Sequence, residues 1–295
     1  MKRNKGMIVA FLTPALIFFV ATFVYPIIRT VMMSFFKIEN VVDSIGKWQF
    51  TGLANYIKLL QTPIFHTALL NLLKIWLYGG IIVMTLALLF AVILTNGIKG
   101  KKFFRAVIYL PNIVSAVALA VMWQQFVFSN QFGLFKPFAD MGGWAWLDPE
   151  HKFLSLLIAY CFGMVGYHML IFLSGIERIG GEYYEASRID GASRVAQFRY
   201  ITLPLLKGVF KTNITMWSIT SVGFFVWSQL FSTVTTDTTV ITPMVYLYNQ
   251  TFGSGNSVTE RNAGLGAAIG IILAIFVVIV FWVCNRTLKD DELEF

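Results

Sequence analysis

The chain has 295 residues, of which 57% are hydrophobic and 13% are charged. Soluble domains carry about 25% charged residues, so this composition excludes an ordinary soluble domain and favours a lipid bilayer. The formal net charge is +8, and the basic residues are distributed over separate loops. A nucleic-acid-binding protein gathers such charge on one face, so the charge argues against nucleic acid as a partner.

Six apolar stretches are long enough to cross a hydrocarbon core as helices of about 20 residues each. They lie at residues 7–28, 69–94, 106–128, 153–173, 209–231 and 264–284. The polar stretches between them are too short to bury a core of their own. The sequence therefore predicts an all-α, polytopic membrane protein with six transmembrane helices, forming a single transmembrane domain over residues 1–295.

The lysines and arginines predict the orientation of these helices. Fifteen of the 23 fall in the two termini, the second loop and the fourth loop, whereas six fall in the other loops. Because positive charge accumulates on the cytoplasmic side, we expect both termini and the fourth loop to be cytoplasmic. The basic start precedes an apolar run too long for a typical signal peptide, so a retained first helix is expected. The two cysteines, Cys161 and Cys284, fall within apolar stretches and indicate no disulfide framework.

The fourth loop, residues 177–204, has the pattern of a short helix-turn-helix. Residues 182–189 are good helix formers, Asp190 and Gly191 form a turn signal, and residues 193–199 predict a second short helix. Pro204 suits the first turn of the following membrane helix, with Thr202 as a possible cap. The small residues in this charged loop allow another protein surface to approach closely, which indicates a docking element.

The spacing of this loop resembles the EAA loop of the permease subunits of binding-protein-dependent ABC importers. The matching residues are Glu185, Ala186, Ser187, Asp190 and Gly191, followed after nine residues by Ile201-Thr202-Leu203-Pro204. The common family form has alanine where this chain has Ser187, and often Ile-Pro where it has Gly180-Gly181. Further segments similar to sugar-type permeases are Thr13-Pro14-Ala15-Leu16, Tyr25-Pro26-Ile27, residues 50–56, Phe103-Phe104-Arg105 and Phe132-Gly133-Leu134. The resemblance thus covers nearly the whole chain.

The resemblance implies a permease subunit that imports a sugar or oligosaccharide in a bacterial or archaeal cell membrane. It implies four kinds of partner: a second permease subunit, two ATPase subunits, an extracytoplasmic solute-binding protein and the bilayer. The chain has no G-x-x-x-x-G-K-[ST] motif, so no phosphate-binding loop of its own is expected. ATP and Mg²⁺ are therefore expected on the partner ATPase, with no cofactor, metal or catalytic residue on this chain. The five loop residues named above are the expected ATPase-coupling residues.

Two helix faces are candidates for contact with the solute. Trp217, Thr220, Ser221 and Phe224 recur at one-face spacing in the fifth stretch, and Tyr160, Met164 and Tyr167 recur similarly in the fourth. Sugars present apolar C–H faces edged by hydroxyls, which aromatic rings and hydroxyl donors suit. Related sugar permeases build their binding site in these two stretches. The alternative is that these side chains only satisfy one another between helices.

Three other functions stay open at this point. One is an ABC importer of another solute, such as a polyol or glycerol phosphate. An ion-coupled secondary transporter usually needs an intramembrane carboxylate or a broken helix, and no Asp or Glu falls within the six stretches. An enzyme needs a convergent set of nucleophile, base or metal ligands, and the three separate histidines, His66, His151 and His168, do not provide one.

Overall fold

The chain folds almost entirely into helices in the computed structural model, which describes residues 5–232, 234, 237–253 and 261–288. Within these residues there are sixteen α-helices and one two-stranded sheet. The chain divides into two compact units, residues 1–65 with 246–274 and residues 66–245 with 275–295. Helices α4, α15 and α16 continue across this division in sequence. The single domain expected over residues 1–295 stays a prediction.

The first unit combines the N-terminal helices with a small sheet. It holds α1 (Lys5–Phe19), α2 (Tyr25–Met33), β1 (Phe36–Lys37), β2 (Gln49–Phe50) and α3 (Ala54–Gln61), with the start of α4 (Pro63–Lys74), most of α15 (Pro243–Phe252) and the first half of α16 (Ala263–Thr287). The strands are antiparallel, with Phe36 opposite Phe50. Asn55 is buried and donates hydrogen bonds of 2.9 Å to the carbonyls of Ser34 and Phe36. Asn262 donates to the Asn55 amide oxygen, so two asparagines satisfy the backbone where the chain leaves α2.

The second unit contains most of the membrane helices. It holds α5 (Gly80–Thr95), α6 (Lys101–Ile113), α7 (Ala116–Met122), α8 (Lys136–Gly142), α9 (Lys152–Glu177), α10 (Gly181–Ile189), α11 (Arg194–Gln197), α12 (Leu203–Leu205), α13 (Lys207–Val222) and α14 (Val226–Phe231). π-helical turns connect some of them at Ile75–Gly79, Trp123–Val127 and Phe198–Thr202.

Helix α9 lies at the centre of the second unit, and most of its residues are buried. Its glycines explain how closely its neighbours pack. A Cβ added at Gly166 would lie 2.7 Å from the Cα of Tyr109 in α6, so the two backbones are in direct contact there. Such small residues are common where membrane helices pack, because lipid provides no hydrophobic force to drive them together. Helix α9 is thereby fixed between α5, α6 and α13.

Four helices are long and apolar enough to cross a membrane, counted over the described ranges. They are Val9–Met33, Pro63–Thr95, Lys152–Glu177 and Ala263–Thr287. The third predicted stretch forms Lys101–Ile113 and Ala116–Val127, which bend by 97° at the break between them and count as a fifth span if taken together. The fifth predicted stretch is divided into α13 and α14 around Gly223. The all-helical prediction is confirmed, and the count of six spans stays a prediction.

Residues 237–241, which precede α15, are held by buried polar groups. Lys152 and Asp237 form an ion pair of 2.7 Å, with side chains only 3% and 7% exposed. Asn71 donates to the carbonyls of Thr238 at 3.1 Å and Ile241 at 3.0 Å. Burying two charges is costly unless they are well paired and hydrogen-bonded, so this geometry commits the segment to one position.

Candidate functional site

The loop of residues 177–204 forms the helix-turn-helix that its sequence predicts. Helix α10 ends at Ile189, and Gly191 has a φ of +76°, in the left-handed region that favours glycine. The Gly191 amide donates to the Arg188 carbonyl at 3.1 Å, closing the end of α10. The Ser193 hydroxyl accepts a hydrogen bond from the Ala196 amide and caps α11. Pro204 lies in the first positions of α12, a three-residue helix that precedes α13, and so does not lie in the first turn of the membrane helix as predicted.

Thr202 does not cap the following helix, and the prediction that it does is wrong. Its side chain makes no capping bond to the helix that begins at Leu203. Thr202 is 5% exposed, and its hydroxyl lies 3.0 Å from the Tyr184 hydroxyl of α10. A tertiary hydrogen bond therefore replaces the local cap and ties α10 to the start of α12.

The outer face of the loop is charged but carries uncovered apolar side chains. Glu185, Ala186 and Asp190 are exposed. Ile189 is 87% exposed and Val195 is 75% exposed, on either side of the Gly191 turn. Apolar side chains left in water at a tight turn are typical of a surface that a partner covers. The surface around the turn therefore combines two exposed apolar side chains with exposed carboxylates and with the exposed Arg188 and Arg194.

The inner side of the same loop is polar and buried. Gln197 is the only buried residue between positions 180 and 200, all of which the structure describes. Its side-chain amide donates to the Ser187 hydroxyl at 2.9 Å and to the Tyr184 carbonyl at 3.3 Å. The Ser187 hydroxyl in turn donates to the Tyr184 carbonyl at 2.9 Å. Helices α10 and α11 are thus joined through side chains as well as through the turn.

A groove of about 580 Å³ separates the loop from the ends of the long helices. Its walls carry Glu185, Arg188 and Arg194 from the loop, with Lys101 and Glu177 from the helix ends. Lys101 and Glu177 form an ion pair of 2.7 Å across it. Exposed pairs of this kind contribute little stability, so the groove is shaped mainly by the loop's own fold.

The second candidate site consists mostly of packed core. Its residues lie on α9 and α13, except that Phe224 follows the end of α13 and, contrary to the prediction from the sequence, is not on the same helix as Trp217. Trp217 is 2% exposed, and its indole nitrogen donates to the Trp76 carbonyl at 2.8 Å. Its ring packs over glycines between α4 and α5, since a Cβ at Gly80 would lie 2.8 Å from the indole nitrogen. The Tyr160 ring contacts those of Trp217 and Phe224, with centroids 5.5 and 4.6 Å apart. These three aromatic residues are buried against one another.

The remaining members of this set differ in how accessible they are. Met164 and Tyr167 are half-buried, and Thr220 is exposed. The Thr220 hydroxyl bonds back to the Met216 and Trp217 carbonyls at 3.1 and 3.0 Å. Ser221 is fully buried, with its hydroxyl among the buried polar atoms that lack a hydrogen-bond partner. Met164, Tyr167 and Thr220 are therefore the members of the set that keep exposed surface.

A buried polar pair connects the same helices, and the sequence identified only one member of it. His168 Nδ1 lies 2.7 Å from Asn213 Oδ1, and both residues are 0% exposed. An asparagine within an apolar stretch is itself a sign of an interhelical hydrogen bond, which could have identified Asn213. Gln197 had no such sign, because its partners lie across the turn. In the described residues, no group of three or more His, Cys, Asp or Glu residues is placed to hold a metal ion.

Comparison with known proteins identifies the family. Residues 83–286 match the family described as "Binding-protein-dependent transport system inner membrane component". The arabinooligosaccharides transport system permease protein AraP of Bacillus subtilis is 31% identical, over 92% of this chain and 84% of its own length. The diacetylchitobiose uptake system permease protein NgcF of Streptomyces coelicolor is 28% identical, over 83% of this chain and 73% of its own.

The fold also matches a solved transporter. A chain of a bacterial ABC transporter involved in the import of the acidic polysaccharide alginate has a TM-score of 0.79 at 20% identity, covering 98% of this chain and 97% of its own. At that identity the likeness concerns the fold alone. The family match and the relative above 30% identity establish membership, and they explain the apolar helices. The chain belongs to the inner membrane components of binding-protein-dependent transport systems, and it is a membrane-embedded permease subunit, with no enzyme activity of its own.

Proposed function

We propose that this chain forms half of the translocation pathway of an ATP-driven importer and docks a separate ATPase through residues 177–204. The observation that carries the proposal is the helix-turn-helix with two uncovered apolar side chains, Ile189 and Val195, at its tip. The loop is internally hydrogen-bonded, so it can transmit a displacement without unfolding. A second permease subunit, two ATPase subunits carrying ATP and Mg²⁺, and an extracytoplasmic solute-binding protein complete the assembly.

The proposed docking face contains both apolar and charged side chains. Ile189 and Val195 enter an apolar hollow on the ATPase, where burial of an aliphatic side chain contributes about 1.5–3 kcal/mol. Glu185, exposed beside them, accepts hydrogen bonds from a basic residue of the ATPase. Truncating one member of a desolvated charge pair costs about 2–5 kcal/mol, against under about 1 kcal/mol for an exposed pair. Gly191 supplies the turn that presents both groups together.

The proposed orientation has both termini and the loop in the cytoplasm, as the distribution of lysine and arginine indicates. The first span, Val9–Met33, supports a second permease subunit, because none of its most apolar window is buried by the described part of this chain. Lipid and a partner helix are the two environments that such a face fits. A heterodimer with a different permease chain is the assembly that we propose.

We propose a carbohydrate as the solute, on the pattern of the relatives. Those relatives are named for arabinooligosaccharides, diacetylchitobiose and lactose. The solute contacts assigned to this chain are Met164, Tyr167 and Thr220, which keep accessible surface. The packed core that supports these contacts is formed by Tyr160, Trp217, Ser221 and Phe224. Polyols and glycerol phosphate are the alternative solutes, and an ion-coupled transporter is the alternative mechanism.

The experiment that tests the docking role compares two apolar-to-acidic variants. The chain is co-expressed with its second permease and ATPase subunits and purified in detergent by a tag on the ATPase. Ile189→Asp should lose most of the chain from the purified complex, because it places a carboxylate in the apolar hollow. Val42→Asp is the matched control, since Val42 is 90% exposed in a loop of the other unit. Equal recovery of both variants would remove the loop from the ATPase interface.

The solute class is tested separately with the purified solute-binding protein. Arabinotriose, diacetylchitobiose and lactose are titrated in turn, with glycerol 3-phosphate and a polyol as the alternative probes. We expect a sugar to bind to the solute-binding protein and then to be taken up by vesicles that contain the complex. Uptake of glycerol 3-phosphate alone would replace the carbohydrate with the alternative.

A further inference from the structure

The coupling loop contains a polar clamp, formed by Tyr184, Ser187 and Gln197, that the docking role does not require. We propose that this clamp makes α10 and α11 move as one body and, through Thr202, passes that movement to the start of α12. The inference rests on the proposed function, because it concerns what happens after the ATPase has docked. Ser187 and Gln197 are positioning residues here, since neither faces the ATPase or the solute.

Helices this short need side-chain support. Helix α10 has nine residues, and α11 has four before the π-helical turn Phe198–Thr202 continues it into α12. Isolated helices below about 12–15 residues are marginal in water, so the loop cannot stay rigid by helix formation alone. The turn itself contributes a backbone bond from the Ala192 amide to the Ser187 carbonyl at 2.8 Å. The Gln197 amide adds two side-chain hydrogen bonds between the two helices.

The position of Gln197 is unusual for its residue type. Glutamine is mostly exposed in proteins, and a buried amide is costly unless hydrogen-bonded. Gln197 is nevertheless 8% exposed, whereas every other residue from 180 to 200 keeps surface. Its amide reaches two acceptors on α10, the Ser187 hydroxyl and the Tyr184 carbonyl. A leucine of similar volume would fill the space as well, so packing alone does not explain an amide there.

Ser187 completes the clamp because its hydroxyl both accepts and donates a hydrogen bond. It accepts from Gln197 and donates to the Tyr184 carbonyl. An alanine at this position would keep α10 helical and remove the acceptor that joins it to α11. The same residue, Tyr184, carries the hydroxyl that lies 3.0 Å from Thr202. The hydrogen bonds therefore run without a gap from α11 through α10 to the chain that enters α12.

The chain offers a matched control for this clamp. The Ser174 hydroxyl donates to the Ile171 carbonyl at 3.1 Å, three residues back, as Ser187 donates to Tyr184. Ser174 is exposed and lies near the end of α9, outside the loop. Ser174→Ala and Ser187→Ala thus remove the same kind of local bond, and only Ser187→Ala also removes one of the two acceptors of Gln197.

The experiment measures coupling in the complete complex. The complex is reconstituted in liposomes with ATP inside and the solute-binding protein outside. Sugar uptake and ATP hydrolysis are measured together, with whichever of arabinotriose, diacetylchitobiose or lactose the wild type imports. Ser187→Ala and Gln197→Leu should keep wild-type amounts of bound ATPase while the sugar imported per ATP falls about 2- to 10-fold, the factor for one lost hydrogen bond. Ser187→Thr, which keeps the hydroxyl, and Ser174→Ala should keep the wild-type ratio.

The double variant distinguishes a clamp from two unrelated effects. Ser187→Ala combined with Gln197→Leu should be no worse than Gln197→Leu alone, because residues acting as a unit are not additive. A wild-type ratio in both single variants, or additive losses in the double variant, would overturn the proposal. Loss of the ATPase from Ser187→Ala would also overturn it, by assigning the residue to docking. Absence of the ATPase from the wild-type complex would instead overturn the proposed function.

Discussion

Replacing Gly191 perturbs the coupling loop through its backbone. The residue has a φ of +76°, and a Cβ built there meets nothing within 4 Å. A side chain at this position therefore causes no clash within the chain, and its cost is conformational. Placing a non-glycine residue in the left-handed region costs about 1–2 kcal/mol, less for asparagine and more for a β-branched residue. Gly191→Asn, Gly191→Ala and Gly191→Val should disturb the loop in that increasing order.

This conformational cost lowers the fraction of molecules whose loop is in the docking conformation. The affinity for the ATPase falls with that fraction. A change of 1–2 kcal/mol corresponds to a factor of about 5–30 in a two-state population. The apparent dissociation constant rises by the inverse of the competent fraction, so 5–30-fold is the upper limit for Gly191→Ala. Gly191→Val should reach or exceed that limit, and Gly191→Asn should remain closer to the wild type.

The assay titrates the ATPase onto the detergent-purified permease pair and measures the dissociation constant for each variant. Gly181→Ala is the matched control, because a Cβ there also meets nothing within 4 Å and its φ is not in the left-handed region. Alanine in α10 should leave the affinity unchanged or improve it slightly. Wild-type affinity of Gly191→Val, or an equal loss in Gly181→Ala, would refute the role assigned to the turn.

Five further variants test the packing and the solute contacts. Gly80→Ala should lower the free energy of unfolding by about 1–3 kcal/mol, because its Cβ would displace the Trp217 indole, and thermal unfolding in detergent measures this. Lys152→Met should cost about 3–5 kcal/mol by leaving the Asp237 carboxylate buried, and Lys152→Met with Asp237→Leu should cost less than the sum of the single changes. Tyr167→Ala should reduce sugar uptake with the ATPase bound and thermal stability kept, whereas Trp217→Ala should lose about 3–5 kcal/mol of stability. Unchanged uptake in Tyr167→Ala would return that residue to helix packing.

The sequence predicted the helices better than their interruptions. Apolar length and charge distribution are local properties, and they located long helices such as Lys152–Glu177 and Ala263–Thr287. The break between α6 and α7 has a local cause in part, since Pro111 lies just before it and Ser115 caps α7. The break around Gly223 depends on what α14 packs against, which periodicity does not report. Continuous stretches in the sequence were therefore divided in the fold.

The helix-turn-helix of residues 177–204 was predictable because its information is local. Asp190-Gly191 specifies a turn by itself, and the helix on each side follows from propensity. The buried amide of Gln197 was not predictable, since it depends on partners ten and thirteen residues away. Thr202 was misassigned for the same reason. Local rules favour a cap, and a tertiary bond to Tyr184 overrides them.

The candidate solute face shows the limit of periodicity more clearly. Spacing places Trp217, Ser221 and Phe224 on one side of a helix without stating what that side meets. In the fold it meets the Tyr160 ring and the glycines before α5, so the aromatic rings are covered by this chain. Tyr167 keeps surface because it lies further along α9, away from that cluster. Its role in solute contact stays a prediction.

We propose that this chain imports its solute by coupling to a separate ATPase through residues 177–204. The most direct measurement is sugar uptake into liposomes that hold the complete complex, with the binding protein outside and either ATP or a non-hydrolysable analogue inside. We expect sugar uptake with ATP and no uptake with the analogue. In Ile189→Asp, we expect most of the uptake with ATP to be lost. Uptake that persists with the analogue and follows an imposed proton or sodium gradient would contradict this proposal.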